Sequence, residues 1–119
     1  NKASDLDVKI TFTPHVLPTY RGILETIYVD LNKNIPMEKI LNTYKNFYKN
    51  EEFLEISETK TFEIKDVVNT NNLTISLHKG SDNKLTIISA IDNLVKGAAG
   101  QAVQNMNVML GFNETEALK

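Results

Sequence analysis

Apolar positions alternate along some stretches of this chain and recur every three or four residues along others, and the change of period divides it into elements. Val8, Ile10 and Phe12 alternate with Lys9, Thr11 and Thr13, which predicts a first strand from Val8 to Thr13, closed by Pro14. From Gly22 to Leu31, Ile23, Ile27, Val29 and Leu31 share one face, with Leu24 and Tyr28 on the other, as in a long strand covered mainly on one side. Pro36 suits the first turn of a helix, and Met37, Ile40, Leu41, Tyr44, Phe47 and Tyr48 follow at helical spacing until Asn50. The aromatic stripe of Tyr44, Phe47 and Tyr48 reads as core packing. Phe53 to Ile56 and Phe62 to Val68 predict two further strands, the second with a slip in its alternation at Asp66. Leu73, Ile75 and Leu77 then alternate with Thr74, Ser76 and His78, a pattern that leaves His78 exposed. After the turn residues Gly80-Ser81-Asp82-Asn83, Leu85 to Ile91 reads as the antiparallel partner.

The run from Asp92 to Asn107 departs from these patterns. It turns through a glycine into a helix predicted over Ala98 to Leu110, where Ala99, Ala102, Val103, Met106 and Leu110 fall on one face at core-seeking spacing. Gln101, Gln104, Asn105 and Asn107 occupy the other face, where a solvent-facing helix ordinarily carries Lys and Glu. Amides there predict a surface reserved for another domain or a polar ligand. On this reading, alanine at Gln101, Gln104 or Asn105 changes stability by about half a kcal/mol at most, and Met106→Ala costs ~2 kcal/mol.

Strand, strand, helix, strands, helix predicts an α+β domain: a mixed, largely antiparallel sheet with helices on one face. The 119 residues suit a single domain, 1–119, and 41% hydrophobic content is enough for one core. Asn1 to Asp7 read as a linker-like start. A formal charge of -2 offers no general attraction to nucleic acid or to an anionic membrane, and no apolar run approaches the ~20 residues needed to span a bilayer. With no signal peptide, a cytoplasmic location is the expectation. The absence of cysteine removes disulfides, thiolate metal sites and the usual nucleophile of thioester chemistry, and no metal-ligand spacing stands out.

Candidate chemistry is sparse. His15, between Pro14 and Pro18, is held rigidly, which suits a pocket wall; a loop histidine bonded to backbone fits equally. Arg21 beside Gly22 suits a bidentate contact with a ligand carboxylate or phosphate, or an arginine in solvent. Asn93, Gly97 and Gln101 lie at a turn and helix start, where free N–H groups favour negative charge and small residues allow close approach.

Two segments carry a resemblance. Asp92-Asn93-Leu94-Val95-Lys96-Gly97-Ala98-Ala99-Gly100-Gln101-Ala102-Val103-Gln104-Asn105-Met106-Asn107 closely resembles the C-terminal signature of the N-acetyl-gamma-glutamyl-phosphate reductase family. Phe12-Thr13-Pro14-His15-Val16-Leu17-Pro18 with Arg21-Gly22-Ile23-Leu24 resembles another block of its catalytic domain. The middle third, Asn32 to Asn72, matches in pattern only. The resemblance implies the C-terminal catalytic and oligomerisation domain shared with glyceraldehyde-phosphate-dehydrogenase-like enzymes. It further implies NADPH as cofactor, N-acetyl-glutamyl phosphate as substrate and homo-oligomerisation through the sheet, where Leu24, Tyr28, Ile88 and Ala90 form an apolar second face. By resemblance His15 and Arg21 border the substrate, and Asn93, Gly97 and Gln101 the cofactor. The family's nucleophilic cysteine, acid/base histidine and Gly-x-Gly-x-x-Gly fingerprint have no counterpart here, so the chain alone is expected to be inactive. A non-catalytic α+β module that binds a small molecule or builds an oligomer is the competing reading.

Overall fold

The computed structural model describes residues 9–119. Strands β1 (Ile23–Asp30), β2 (Leu54–Ser57), β3 (Leu73–Lys79) and β4 (Lys84–Ile91) form one sheet in the order β1-β4-β3-β2, joined by helices α1 (Met37–Phe47) and α2 (Gly100–Leu110). β4 runs antiparallel to both neighbours, and β2 lies parallel to β3, so the sheet is mixed and mostly antiparallel as expected. The β3–β4 hairpin closes through Asp82 and Asn83, both left-handed at φ 58° and 60°, a conformation that short polar side chains tolerate. Its register pairs Leu77 with Ile87, and β1 aligns Ile27 with the same Ile87.

That register gathers the apolar alternation of three strands on one face. α1 crosses there between the two edge strands, its first turn accepting on the Pro36 carbonyl. Ile40 and Leu41 pack with Ile75, Leu77, Leu85 and Ile87, each worth about 2 kcal/mol of transfer from water. Tyr44 borders this core, but α1 ends at Phe47, a residue 79% exposed with its ring edge-on to Tyr48. The aromatic stripe is thus only partly core.

The opposite face is covered by the crossover between β2 and β3. Ser76 Oγ donates to the Lys60 carbonyl (2.9 Å) and accepts from Phe62 N–H (3.3 Å), and Phe62 and Val67 are buried over Thr74, Ser76 and Ala90. The strand predicted from Phe62 to Val68 is instead a 3₁₀ turn, Ile64–Asp66, with Glu63 and Asp66 capping each other. Phe62 and Val67 are five apart, an odd spacing that would send them to opposite faces of a strand; the turn brings both onto the sheet. Ala90 is buried, whereas Leu24 and Tyr28 of the expected second face are exposed on β1. His78, expected in solvent, is half-buried, and its Nε2 has no partner among the described residues.

Two further expectations are corrected. Val8 lies outside the described residues, and residues 9–13 form no ladder; Ile10 and Phe12 stand exposed. Alternation marks a face, but a strand is made by the ladder it forms, and among the described residues none pairs with the outer edge of β1. In α2 the buried face is not the expected one, although Asn105 is exposed as expected. Gly100, Gln104 and Asn107, at i, i+4 and i+7, are the buried stripe, while Met106, Met109 and Leu110 are exposed. The helix packs against amides and carbonyls rather than against the apolar core, so complementary hydrogen bonding selects its inner face.

Candidate functional site

β4 is followed by Asp92, whose side chain is fully buried. Its carboxylate accepts N–H groups from Asn69 (2.7 Å), Leu94 (2.8 Å) and Val95 (3.0 Å), which turn the chain sharply out of the sheet. Arg21 faces it from the segment before β1: Nη2 donates to Oδ1 at 3.2 Å, and Nε lies 3.1 Å from Oδ2 as a charge contact whose N–H is not aimed at the oxygen. Burial alone would raise the Asp92 pKa, but the three backbone donors and then the Arg21 charge outweigh it and hold the carboxyl below its ordinary value. Next to it, Asn93 Oδ1 accepts Gly22 N–H at 2.7 Å. Gly22 is left-handed at φ 104° and so close to Ile64 that a Cβ would overlap the isoleucine side chain.

After Asp92 the chain makes one turn of π-helix, Val95–Ala99, in which Gly97 N–H reaches the Asp92 carbonyl (2.9 Å) and Ala99 N–H the Leu94 carbonyl (3.2 Å). Such turns are rare and occur frequently at functional sites. Gly97, Ala98 and Ala99 are exposed, and Gln101, one turn on, donates to Asn105 Oδ1 at 2.9 Å.

The structure therefore brings Arg21, Asn93 and Gly97 to one corner, with Gln101 following on α2. Arg21, expected to meet a ligand anion, meets Asp92 of its own chain, and its Nη1 donates to Asn69 Oδ1 at 2.6 Å. His15 is apart from this cluster in its contacts: it is exposed, with Nδ1 3.2 Å from the Thr13 carbonyl.

Sequence reasoning missed a second polar cluster. Gln104 Oε1 accepts from Asn71 Nδ2 (2.9 Å) and Lys96 Nζ (2.7 Å), and Gln104 Nε2 donates to Glu114 (2.6 Å). Asn107 Nδ2 holds the tail through the carbonyls of Glu114 (3.2 Å) and Glu116 (2.9 Å). Gly100 is required here, since a Cβ would come within 2.8 Å of Val95 Cγ1 and overlap Asn71 Oδ1. Lys96 lies over the Phe53 ring beside a hollow of about 90 Å³; burial lowers its pKa against the opposing pull of Glu114 and Glu51. The available signal was the spacing of Gly100, Gln104 and Asn107, a helical stripe of small and amide residues.

Residues 1–93 match the family model described as the semialdehyde dehydrogenase dimerisation domain. The chain belongs to that family. It is also 53% identical over 94% of its length to an N-acetyl-gamma-glutamyl-phosphate reductase of Brachyspira hyodysenteriae, covering 33% of that protein. The Clostridium kluyveri protein of the same name is 50% identical over 99% of the chain and 35% of the relative, and that of Acinetobacter baumannii 49% over 92% and 32%. The chain thus spans about a third of the length of the curated relatives it matches.

For a semialdehyde dehydrogenase dimerisation domain, the geometry bears on where a nicotinamide cofactor could sit. The turn after Asp92 does not fit a dinucleotide pyrophosphate: its Leu94 and Val95 N–H groups are spent on a carboxylate that already brings negative charge to the helix start. The exposed edge formed by Gly97, Ala98 and Ala99 offers close approach to a neutral, flat group instead. Among the described residues, no three His, Cys, Asp or Glu gather to hold a metal, and no helix is long and apolar enough to cross a membrane.

Proposed function

We propose that this chain is the dimerisation domain of a cytoplasmic, NADPH-dependent oxidoreductase that converts N-acetyl-glutamyl phosphate to N-acetyl-glutamate semialdehyde in arginine biosynthesis. The observation that carries this reading is 49–53% identity, over at least 92% of the chain, to proteins named N-acetyl-gamma-glutamyl-phosphate reductase. NADPH supplies the hydride. The nucleophilic cysteine, the acid/base histidine and the phosphate-binding loop belong, on this reading, to the remaining two thirds of the reductase, since this chain has no cysteine. What the domain contributes is shape. Asn93, Gly97 and Gln101 form a close-approach edge against the nicotinamide side, and the His15 segment borders the substrate. Arg21 serves that border by holding it in place, because its guanidinium is already engaged by Asp92 and Asn69.

The sheet is the proposed self-association surface. Ile23 and Ile27 on one face of β1 and Leu24 and Tyr28 on the other are all exposed, and among the described residues no strand pairs with its outer edge. A second copy laid against them makes the functional unit a homo-oligomer.

Isothermal titration with NADPH tests the assignment. The whole reductase is expected to bind it tightly and the 119-residue chain not appreciably; micromolar affinity in the chain alone would place the cofactor site in the wrong part of the protein. Sedimentation is expected to show a dimer or larger assembly, and a strict monomer at high concentration counts against association through the sheet.

A further inference from the structure

Three stretches of chain meet at the Asp92 carboxylate. Arg21 ends the segment that carries His15, Asn69 belongs to the crossover over the sheet, and Leu94 and Val95 open the turn that carries Gly97. A second bond, Gly22 N–H to Asn93 Oδ1, runs parallel to the ion pair between the first and third stretches. Gly22 is also backed against Ile64, so the Arg21–Gly22 backbone is held from both sides. These links are directional: a charge-assisted hydrogen bond from Arg21 Nη2 and short N–H to oxygen bonds fix orientation, whereas an apolar contact would tolerate sliding. Asp92 itself is fully buried and cannot touch a ligand.

We infer that Asp92 is a positioning residue of the reductase, fixing the substrate-side segment through Arg21 and the cofactor-side turn through Leu94 and Val95 in one frame. This inference rests on the proposed function, in which those two surfaces meet at the reacting group. Misplacement by about 1 Å can cost about 100-fold in rate. A group that only aligns partners already bound acts on turnover more than on binding.

The test uses the whole reductase with N-acetyl-glutamyl phosphate and NADPH. Wild-type turnover decides the proposed function by itself. Asp92→Asn and Arg21→Lys, assayed well below their melting temperatures with the folded fraction measured, are expected to lose about 10- to 100-fold in kcat. KM for either substrate should move less than about threefold. If Asp92→Asn does not fold, Arg21→Lys and Asn69→Gly carry the test. Asn69 is left-handed at φ 64°, so glycine keeps its backbone and removes only the acceptor for Arg21 Nη1. Lys84→Ala, which breaks the exposed pair with Asp30, should leave both constants unchanged. Hydrogen exchange on the same proteins reads the coupling without activity: Arg21→Lys should speed exchange at Leu94, Val95 and Gly97. Wild-type kcat in folded Arg21→Lys and Asn69→Gly, a loss confined to KM, or unchanged exchange at that turn would each overturn the inference.

Discussion

The sheet layer and the unit that follows Asp92 both hold a helix in place, with opposite chemistry. α1 is held by Ile40 and Leu41 against Ile75, Leu77, Leu85 and Ile87, contacts that are individually weak, non-directional and numerous. α2 is held by Gln104 and Asn107 against Asn71, Lys96 and the tail around Glu114, with Gly100 admitting the close approach. Its methionines and leucine face outward. The first arrangement tolerates a change of one apolar residue for another of similar volume. The second requires that each buried donor and acceptor keep its partner, because an orphaned amide in a dry site carries its full desolvation cost. The family match ends at Asn93, beside the carboxylate that joins the two arrangements.

Substitutions in the 119-residue chain separate the two arrangements, and chemical denaturation measures each. The largest loss is expected in the apolar layer, where Leu77 is fully buried at the centre of the sheet: Leu77→Ala should cost about 4 kcal/mol. A loss below about 1 kcal/mol would mean that the α1–sheet layer is loosely packed. Asp92→Ala comes next, at about 3 kcal/mol, because it strands Arg21 and three backbone N–H groups together.

The same carboxylate gives the comparison a pH signature. The Asp92 pKa is depressed in the folded chain, so the native state binds its proton less readily than the unfolded state. Its contribution is fully present above the ordinary aspartate range, about pH 4, and is lost as pH falls through that range towards the folded value. The stability gap between wild type and Asp92→Asn should therefore be flat from about pH 7 to about pH 5 and shrink below about pH 4. A gap that widens on acidification is incompatible with the depressed pKa. The apolar variant Leu77→Ala should show no such dependence.

Within α2, the ranking that periodicity predicts is reversed. Gln104→Ala should cost about 2 kcal/mol, since it leaves Asn71 and Lys96 without an acceptor, while Met106→Ala should cost about 0.5 kcal/mol or less. The opposite order would restore the apolar face as the packed one. Smallest of all, Phe47→Ala at the exposed end of α1 should change stability by less than about 0.5 kcal/mol.

What could be read from the residues alone was whatever depends on neighbours along the chain. Apolar alternation in Leu73 to Leu77 and Leu85 to Ile91, with Asp82-Asn83 between, specifies the hairpin and its register, because a slip of one residue would turn every buried side chain outward. Pro36 and the helical spacing from Met37 likewise specify α1 and its core face. The α+β class follows from those elements. Partners distant in sequence decided the rest. Ile10 and Phe12 alternate like a strand but join no ladder of the sheet. Phe62 and Val67 reach one face only through a turn. The inner face of α2 was settled by Asn71, Lys96 and Glu114, since an amide stripe is buried or exposed according to whether the surface it meets can complete its hydrogen bonds. Arg21 reads in sequence as a ligand contact because a guanidinium fits any carboxylate; the fold supplies one from 71 residues away, at Asp92, and Arg21 is paired there through Nη2 and through Nη1 to Asn69.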